Sequence, residues 1–208
     1  MKTLGNPPLL YLITDRKLCP SRSILELIVE AARAGVDLIQ IREKDLPIRE
    51  LCALVEEAAA RIAGTPARLL VNDRFDVAVT CGAHGVHLTT RSLPAAIVRE
   101  IVGPDVLIGV SAHSLEEARD AEIGGADFLV LGPVFETPSK KPYGPPLGLE
   151  AFACIAVAVR LPVLAIGGIT PENAPQVLAR GAAGLAAIRM FVEAEQLTSL
   201  VARLKGHR

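Results

Sequence analysis

The sequence is poor in aromatic residues and has no closely spaced cysteines. It contains no tryptophan, two tyrosines and five phenylalanines, and its four cysteines are Cys19, Cys52, Cys81 and Cys154. Because no two cysteines form a CxxC pair, the sequence predicts neither a structural zinc site nor a disulfide framework. Reduced thiols are the expectation.

Long apolar runs are missing as well. None approaches the ~20 residues that a membrane-spanning helix needs, and the amino-terminal residues lack the apolar core of a signal peptide. We therefore expect a cytoplasmic protein that has no membrane partner.

The charged residues give no large surface of one sign. The chain has 22 Lys and Arg, 23 Asp and Glu, and a net charge of −1, all distributed along its length. We therefore expect no nucleic-acid partner, and any anion site must be formed locally. Half of the 208 residues are apolar, which is enough for one core, so residues 1–208 are predicted to be a single domain.

Eight short apolar runs alternate with longer segments of helical period. The runs are 9–14, 37–42, 68–72, 85–88, 106–110, 127–131, 162–166 and 184–188. Repeated βα units predict right-handed crossovers and a parallel sheet. Eight units in about 200 residues favour a closed α/β barrel, the (β/α)8 or TIM barrel, over an open flavodoxin-like sheet.

Polar residues follow several predicted strands, where a barrel enzyme places its catalytic groups. Gln40, Arg42 and Lys44 alternate after the second strand, so they share one face and offer two cations to an anion. A solvated strand end is the alternative. Asn72 and Asp73 follow the third strand, where the amide suits a ring and the carboxylate suits Mg2+, although Asn-Asp is also an ordinary helix N-cap.

The later strands add further candidates. Ser111 and His113 follow the fifth strand, and a histidine at this rim is suited to proton transfer; otherwise Ser114 caps the next helix and His113 packs beside it. His87, which alternates with apolar neighbours, is interpreted as an interior barrel residue rather than a ligand.

A long irregular segment, 133–148, follows the sixth strand and is predicted to be an active-site loop. Its hydroxyls and ammonium groups suit phosphate oxygens, unless the loop is simply a solvated basic segment: Thr137, Ser139, Lys140 and Lys141. Gly167 and Gly168 end the seventh strand and let a phosphate approach backbone amides, with the chain near Arg189 completing the site.

In their order and spacing, YLITD, QIREKD, LVNDR, GVHL, GVSAHS, GPVFETPSKK, LGLE and AIGGIT resemble the thiamin phosphate synthase family, which includes the thiazole tautomerases. The resemblance covers nearly the whole chain. It implies a barrel that joins hydroxymethylpyrimidine diphosphate to thiazole phosphate, giving thiamin phosphate and pyrophosphate. The diphosphate would leave first, so catalysis would consist mostly of leaving-group stabilisation and positioning.

The resemblance also implies roles for individual residues. Gln40 and Asn72 would hold the pyrimidine, and Ser111 would assist at the pyrimidine or the diphosphate. The diphosphate would be neutralised by Mg2+ bound through Asp73 and by three cations, Arg42, Lys44 and Lys140. The thiazole phosphate would meet loop hydroxyls and backbone groups at Thr137, Ser139, Gly168, Ile188 and Arg189.

Two positions depart from the family pattern. Ser92 stands where a second carboxylate ligand of Mg2+ is typical, and Arg189 stands where a serine is usual. These departures keep two alternatives open. One is a thiazole tautomerase, in which His113 moves a proton without Mg2+, and the other is a silent barrel that only binds phosphate ligands. Related barrels often form dimers, so the resemblance also allows a homodimer.

Overall fold

The computed structural model describes residues 4–19, 22–137 and 145–206. Its strands are β1 (Leu9–Ile13), β2 (Leu38–Ile41), β3 (Arg68–Asn72), β4 (Gly85–Leu88), β5 (Leu107–Ala112), β6 (Phe128–Leu131), β7 (Val163–Ile166) and β8 (Gly184–Ala187). Each strand pairs in parallel with the next, and β8 pairs with β1, so the sheet closes. The predicted (β/α)8 barrel is confirmed, and the open sheet is excluded.

Helices follow the strands and cover the outside of the barrel. They are α1 (Ile24–Ala34), α2 (Ile48–Ile62), α3 (Phe75–Thr80), α4 (Ala95–Val102), α5 (Leu115–Ile123), α6 (Gly148–Ala158), α7 (Ala174–Leu178), α8 (Arg189–Val192) and α9 (Leu197–Leu204). Local sequence sets their ends: Ser23 and Glu26 form a capping box at the start of α1, and Gly35 ends it with a φ of 96°. Within the described ranges, no helix is long and apolar enough to span a membrane.

Alternate strand residues fill the inside of the barrel. Leu9, Tyr11, Leu38, Leu70 and Phe128 belong to this inner cluster, whereas their chain neighbours face the helices. A Cβ on Gly109 would lie 2.3 Å from the Phe128 ring and 2.8 Å from His87 Nδ1. Glycine is therefore needed there so that an aromatic ring and an imidazole fit side by side inside the barrel.

His87 lies inside the barrel, and only 2% of it is exposed. Burial, together with the nearby charge of Arg42, lowers the pKa of His87 from 6.5 to about 3. Between pH 6.5 and about pH 3, the unfolded chain binds a proton at His87 that the folded protein does not bind. His87 therefore contributes to stability fully above pH 6.5, and that contribution is lost as the pH falls towards 3.

We predict that His87→Gln, whose amide stays neutral, removes this pH dependence. Relative to the variant, the unfolding free energy of the native protein should fall by about 1.4 kcal/mol per pH unit below about pH 6. Urea denaturation from about pH 7.5 to about pH 4.5 measures the difference. If the unfolding free energies of the two proteins change in parallel with pH across this range, the prediction is wrong.

Candidate active site

A polar arc lines the inside of the barrel at the carboxyl ends of β2 to β5. Gln40 Nε2 donates to Asn72 Oδ1 over 3.1 Å, and His87 Nε2 lies 2.8 Å from Ser111 Oγ. The strand register sets Asn72 directly beside His87. The four side chains that form the arc are therefore neighbours in space although they come from four strands.

The floor of this arc contains buried polar atoms with unused hydrogen-bonding capacity. Tyr11 Oη, Gln40 Oε1 and His87 Nδ1 have no partner in the described residues. The Tyr11 ring packs edge-on against Phe128, with centroids 5.6 Å apart, and burial raises the pKa of its phenol well above the usual value. The phenol is thus a donor at every physiological pH. Because buried polar groups are normally paired, these three atoms have capacity left for a bound water or a polar ligand atom.

The opposite wall of the same opening is apolar. It is formed by residues at or near the ends of β1, β6, β7 and β8: Ile13, Val130, Ile166 and Ile188. A flat heterocycle fits between such a wall and the polar arc, because its faces are apolar and its edges carry nitrogen donors and acceptors.

Arg42 and Lys44 follow β2 at the rim of the opening. Arg42 is half-buried and Lys44 is exposed. The acidic residues between and after them face another way. Glu43 is buried and contacts Arg16, while hydrogen bonds from Lys17 and Arg16 lower the pKa of Asp45 to about 2. The two acids of the motif therefore pair with the cations of the loop after β1.

Asp73 is exposed directly after β3 and has a φ of 64°, a left-handed conformation that is rare for a residue other than glycine. Its backbone N–H donates to His87 O over 2.8 Å, and its carboxylate accepts no hydrogen bond from the described residues. No cluster of three or more His, Cys, Asp or Glu side chains suited to a metal occurs in the described ranges. Asp73 is thus a single carboxylate at this part of the rim.

Ser92 lies in the turn that follows β4. Its Oγ accepts a hydrogen bond from Thr89 N over 2.8 Å, and Ser92 N donates to Thr89 O over 3.0 Å. The hydroxyl is therefore used to close its own turn after β4.

His113 lies at the rim after β5 and is paired with an acid. Its Nδ1 is 3.1 Å from Glu117 Oε2, and its backbone N–H donates to the same oxygen over 2.6 Å. Ser114 caps α5 by accepting from Glu117 N over 3.1 Å. The cap expected from the sequence is present, and the carboxylate also orients the imidazole and leaves Nε2 facing away from Glu117.

Gly167 and Gly168 form a turn whose backbone is closely approached by the segment after β6. Their φ angles are 97° and 65°, and added Cβ atoms would lie 2.5 Å from Pro133 and 2.7 Å from Phe135. Asn173 braces this turn, because its Nδ2 donates to Gly168 O over 2.8 Å. Only glycine fits at either position, and a bare backbone is what a phosphate needs for close approach.

The remaining predicted residues lie around the same rim. Ile188 is half-buried at the end of β8, and Arg189 Nη1 lies 3.2 Å from Glu193 Oε1, with both side chains exposed. Its charge is therefore partly offset by a neighbouring acid. Thr137 is half-buried, whereas Ser139 and Lys140 fall outside the described residues.

Sequence reasoning placed Gln40, Asn72 and Ser111 correctly at the same end of the barrel, but it missed Tyr11, Thr14 and Glu43. Tyr11 belongs to the YLITD run, and its inward position follows from strand alternation. Alternation also predicts that Glu43, which lies between Arg42 and Lys44 in the sequence, faces the opposite side from both. Nothing in the sequence alone indicates that Thr14 and Glu43 meet.

Comparison with known proteins identifies the family. A sequence model of thiamine monophosphate synthase matches residues 10–191. The thiamine-phosphate synthase of Moorella thermoacetica is 41% identical over 196 residues, which cover 94% of this chain and 93% of that protein. The thiamine-phosphate synthase of Roseiflexus castenholzii is 45% identical over 188 residues, 89% of this chain and 82% of that protein.

A solved structure agrees with these sequences. Thiamine phosphate pyrophosphorylase from Pyrococcus furiosus has a TM-score of 0.86 and 38% identity, covering 97% of this chain and 96% of that one. The chain belongs to the thiamine monophosphate synthase family.

Proposed function

We propose that this chain is a transferase of thiamin biosynthesis. It joins hydroxymethylpyrimidine diphosphate to thiazole phosphate and releases thiamin phosphate and pyrophosphate. The observation that carries the proposal is the pair of amides at the ends of β2 and β3, which leaves Gln40 Oε1 buried and unpaired.

The amide pair matches the edge of an aminopyrimidine. Gln40 Nε2 is used by Asn72 Oδ1, so Gln40 presents its oxygen as an acceptor and Asn72 presents its nitrogen as a donor. An amino group next to a ring nitrogen has the complementary donor and acceptor. The faces of the ring pack against the apolar wall of Ile13, Val130 and Ile166.

Three cations are assigned to the leaving group. Arg42, Lys44 and Lys140 neutralise the diphosphate as its bond to the pyrimidine methyl carbon breaks, which lowers the barrier by stabilising developing charge. Ser111 lies beside His87 and orients the pyrimidine or the adjacent phosphate. His87 acts as a neutral imidazole, because its pKa of about 3 prevents protonation near pH 7.

The thiazole phosphate is assigned to the opposite side of the opening. Backbone N–H groups at Gly167, Gly168, Ile188 and Arg189 bind its oxygens, and the hydroxyls of Thr137 and Ser139 donate to the same phosphate. This arrangement brings the thiazole nitrogen towards the methyl carbon across the barrel mouth, so the two substrates react by proximity.

Mg2+ fits this site as a partner of the diphosphate. Protein sites often bind Mg2+ through one or two carboxylates together with substrate phosphates, and the Asp73 carboxylate is available for one such bond. The ion supplies charge that stabilises the leaving diphosphate. Since the Ser92 hydroxyl is used in its own turn, Asp73 would be the carboxylate ligand.

Thiazole tautomerase is the second candidate function. The observation that favours it is the pairing of His113 with Glu117, which is the usual arrangement of an oriented general base. A tautomerase has no use for the cations and amides of β2 and β3, so the synthase remains the leading proposal. A silent barrel would bind phosphate ligands and release no product.

A homodimer and a cytoplasmic location complete the proposal. Exposed apolar side chains lie on α3, on α4 and just before α4: Val79 is 52%, Leu93 50%, Ile97 44% and Ile101 58% exposed. In a two-fold dimer these side chains pack against the same side chains of a second copy and are buried. All four cysteines are free, as suits a reducing compartment, and neither a membrane nor a nucleic acid takes part in the reaction.

We predict that the purified chain converts the two synthase substrates with Mg2+ into equal amounts of thiamin phosphate and pyrophosphate. Arg42→Ala should lower kcat/KM by about 100-fold or more, because a leaving-group cation is lost. Arg61→Ala, on the outer face of α2, is the control and should leave the rate unchanged. If no thiamin phosphate forms at any Mg2+ concentration, the synthase proposal is wrong, and turnover of thiazole carboxylate phosphate would then identify a tautomerase.

We predict that Ser92→Asp strengthens the Mg2+ dependence. A second carboxylate should lower the half-saturating Mg2+ concentration by about tenfold, whereas Asp73→Asn should raise it by a similar factor. Ser92→Asn has the same shape as Asp without its charge and is the matched control. A Mg2+ titration of initial rates tests the site, and an unchanged curve for Ser92→Asp would place the metal elsewhere.

We predict that light scattering gives the mass of two copies of the 22.0 kDa chain. Ile101→Glu should yield the mass of one copy, because a charge buried at the interface has no partner. Val157→Glu, an equally polar change at an 80% exposed site on α6, should not alter the mass. A native protein that is monomeric at all concentrations would rule out this interface.

A further inference from the structure

The side chain of Thr14 joins the carboxyl ends of β1 and β2, at the point where the backbone hydrogen bonds between these strands end. Thr14 N donates to Gln40 O over 2.9 Å, as in a regular parallel pair. The next regular bond would run from Arg42 N to Thr14 O, but Arg42 N donates instead to Thr14 Oγ1 over 3.0 Å. The main chain of Arg42 is thus held by the hydroxyl of Thr14.

Glu43 fixes the orientation of that hydroxyl. Thr14 Oγ1 donates to Glu43 Oε1 over 2.6 Å, which is the short distance expected for an ionised acceptor. A hydroxyl carries a single hydrogen, so once this is given to Glu43, only lone pairs face the Arg42 N–H. Thr14 is 0% and Glu43 5% exposed, so water does not readily replace either partner.

The carboxylate of Glu43 is also bound by Arg16, which balances its charge. Its carboxylate oxygens accept from Arg16 N over 3.2 and 3.1 Å and from Arg16 Nη1 over 3.3 Å. Within the described ranges, the hydrogen-bond partners of the Glu43 carboxylate are Thr14 and Arg16. Several donors thus hold a buried carboxylate in one place without drawing on the guanidinium of Arg42.

We propose that Glu43 and Thr14 are positioning residues, which hold the backbone of Arg42 so that its guanidinium meets the diphosphate leaving group. This inference rests on the proposed function. Glu43, in the loop after β2, and Thr14, at the carboxyl end of β1, act on the substrate through Arg42 and not by direct contact. Their effect is confined to the diphosphate side, because the turn at Gly167 and Gly168 is braced separately by Asn173.

Inorganic pyrophosphate is the probe, and its binding to the full chain is measured by calorimetry. Thr14→Val keeps the shape of the side chain and removes the hydroxyl, and Glu43→Gln keeps the shape and removes the charge. Each should raise the pyrophosphate Kd by about tenfold, and Thr14→Ser should stay within about threefold of the native value. In steady state, the KM for the pyrimidine diphosphate should rise, while the KM for thiazole phosphate stays constant.

A double-mutant cycle separates positioning from general destabilisation. In an Arg42→Ala background, Thr14→Val should change the pyrophosphate Kd by less than about twofold, because the cation that the held backbone positions has been removed. The matched controls are Thr65→Val and Glu57→Gln, which remove a hydroxyl and a charge elsewhere on or near α2 and should leave binding unchanged. Thermal unfolding of every variant ensures that binding is measured well below its Tm, and Glu43→Gln alone serves if Thr14→Val does not fold.

Two outcomes would overturn the inference. One is native-like pyrophosphate affinity in both Thr14→Val and Glu43→Gln. The other is an equal loss in the native and Arg42→Ala backgrounds, which would indicate a structural role only. If the native protein itself binds no pyrophosphate and makes no thiamin phosphate, the proposed function fails instead, and that result is distinct from either of these.

Discussion

Closure of the barrel fixes which residues of each strand face the axis, and the site depends on this constraint. A closed sheet has no edge at which the register can slip, so the two-residue alternation holds around the whole ring. On β2 it places Leu38 in the inner cluster and Ile39 and Ile41 against the helices. Gln40 is thereby brought to the axis, where its amide meets Asn72 of β3.

The same alternation continues past the end of β2, so the acidic residues that follow this strand face a different way from Arg42. Glu43 and Asp45 turn towards the loop after β1, where they contact Arg16 and Lys17. Arg42 acts on the inside of the barrel, where its charge helps to lower the pKa of His87. Residues that are adjacent in sequence therefore serve different parts of the structure.

Much of this architecture follows from the sequence, since strand period, βα repetition and polar strand ends are local patterns. Contacts between strands are not local. His87 was interpreted as an interior residue, and it does lie inside, yet its hydrogen bond to Ser111 depends on the register of β4 and β5. Likewise, the turn that uses up the Ser92 hydroxyl and the ion pair of Arg189 with Glu193 arise from rotamers that no motif encodes.

We propose that the two phosphate-bearing substrates occupy opposite sides of one barrel mouth. A crystal structure of the chain with thiamin phosphate and pyrophosphate bound together tests this arrangement. We expect the aminopyrimidine on Gln40 and Asn72, the pyrophosphate at Arg42, and the ester phosphate at the Gly167–Gly168 turn. A structure with the ester phosphate at Arg42, or with the pyrimidine away from both amides, would contradict it.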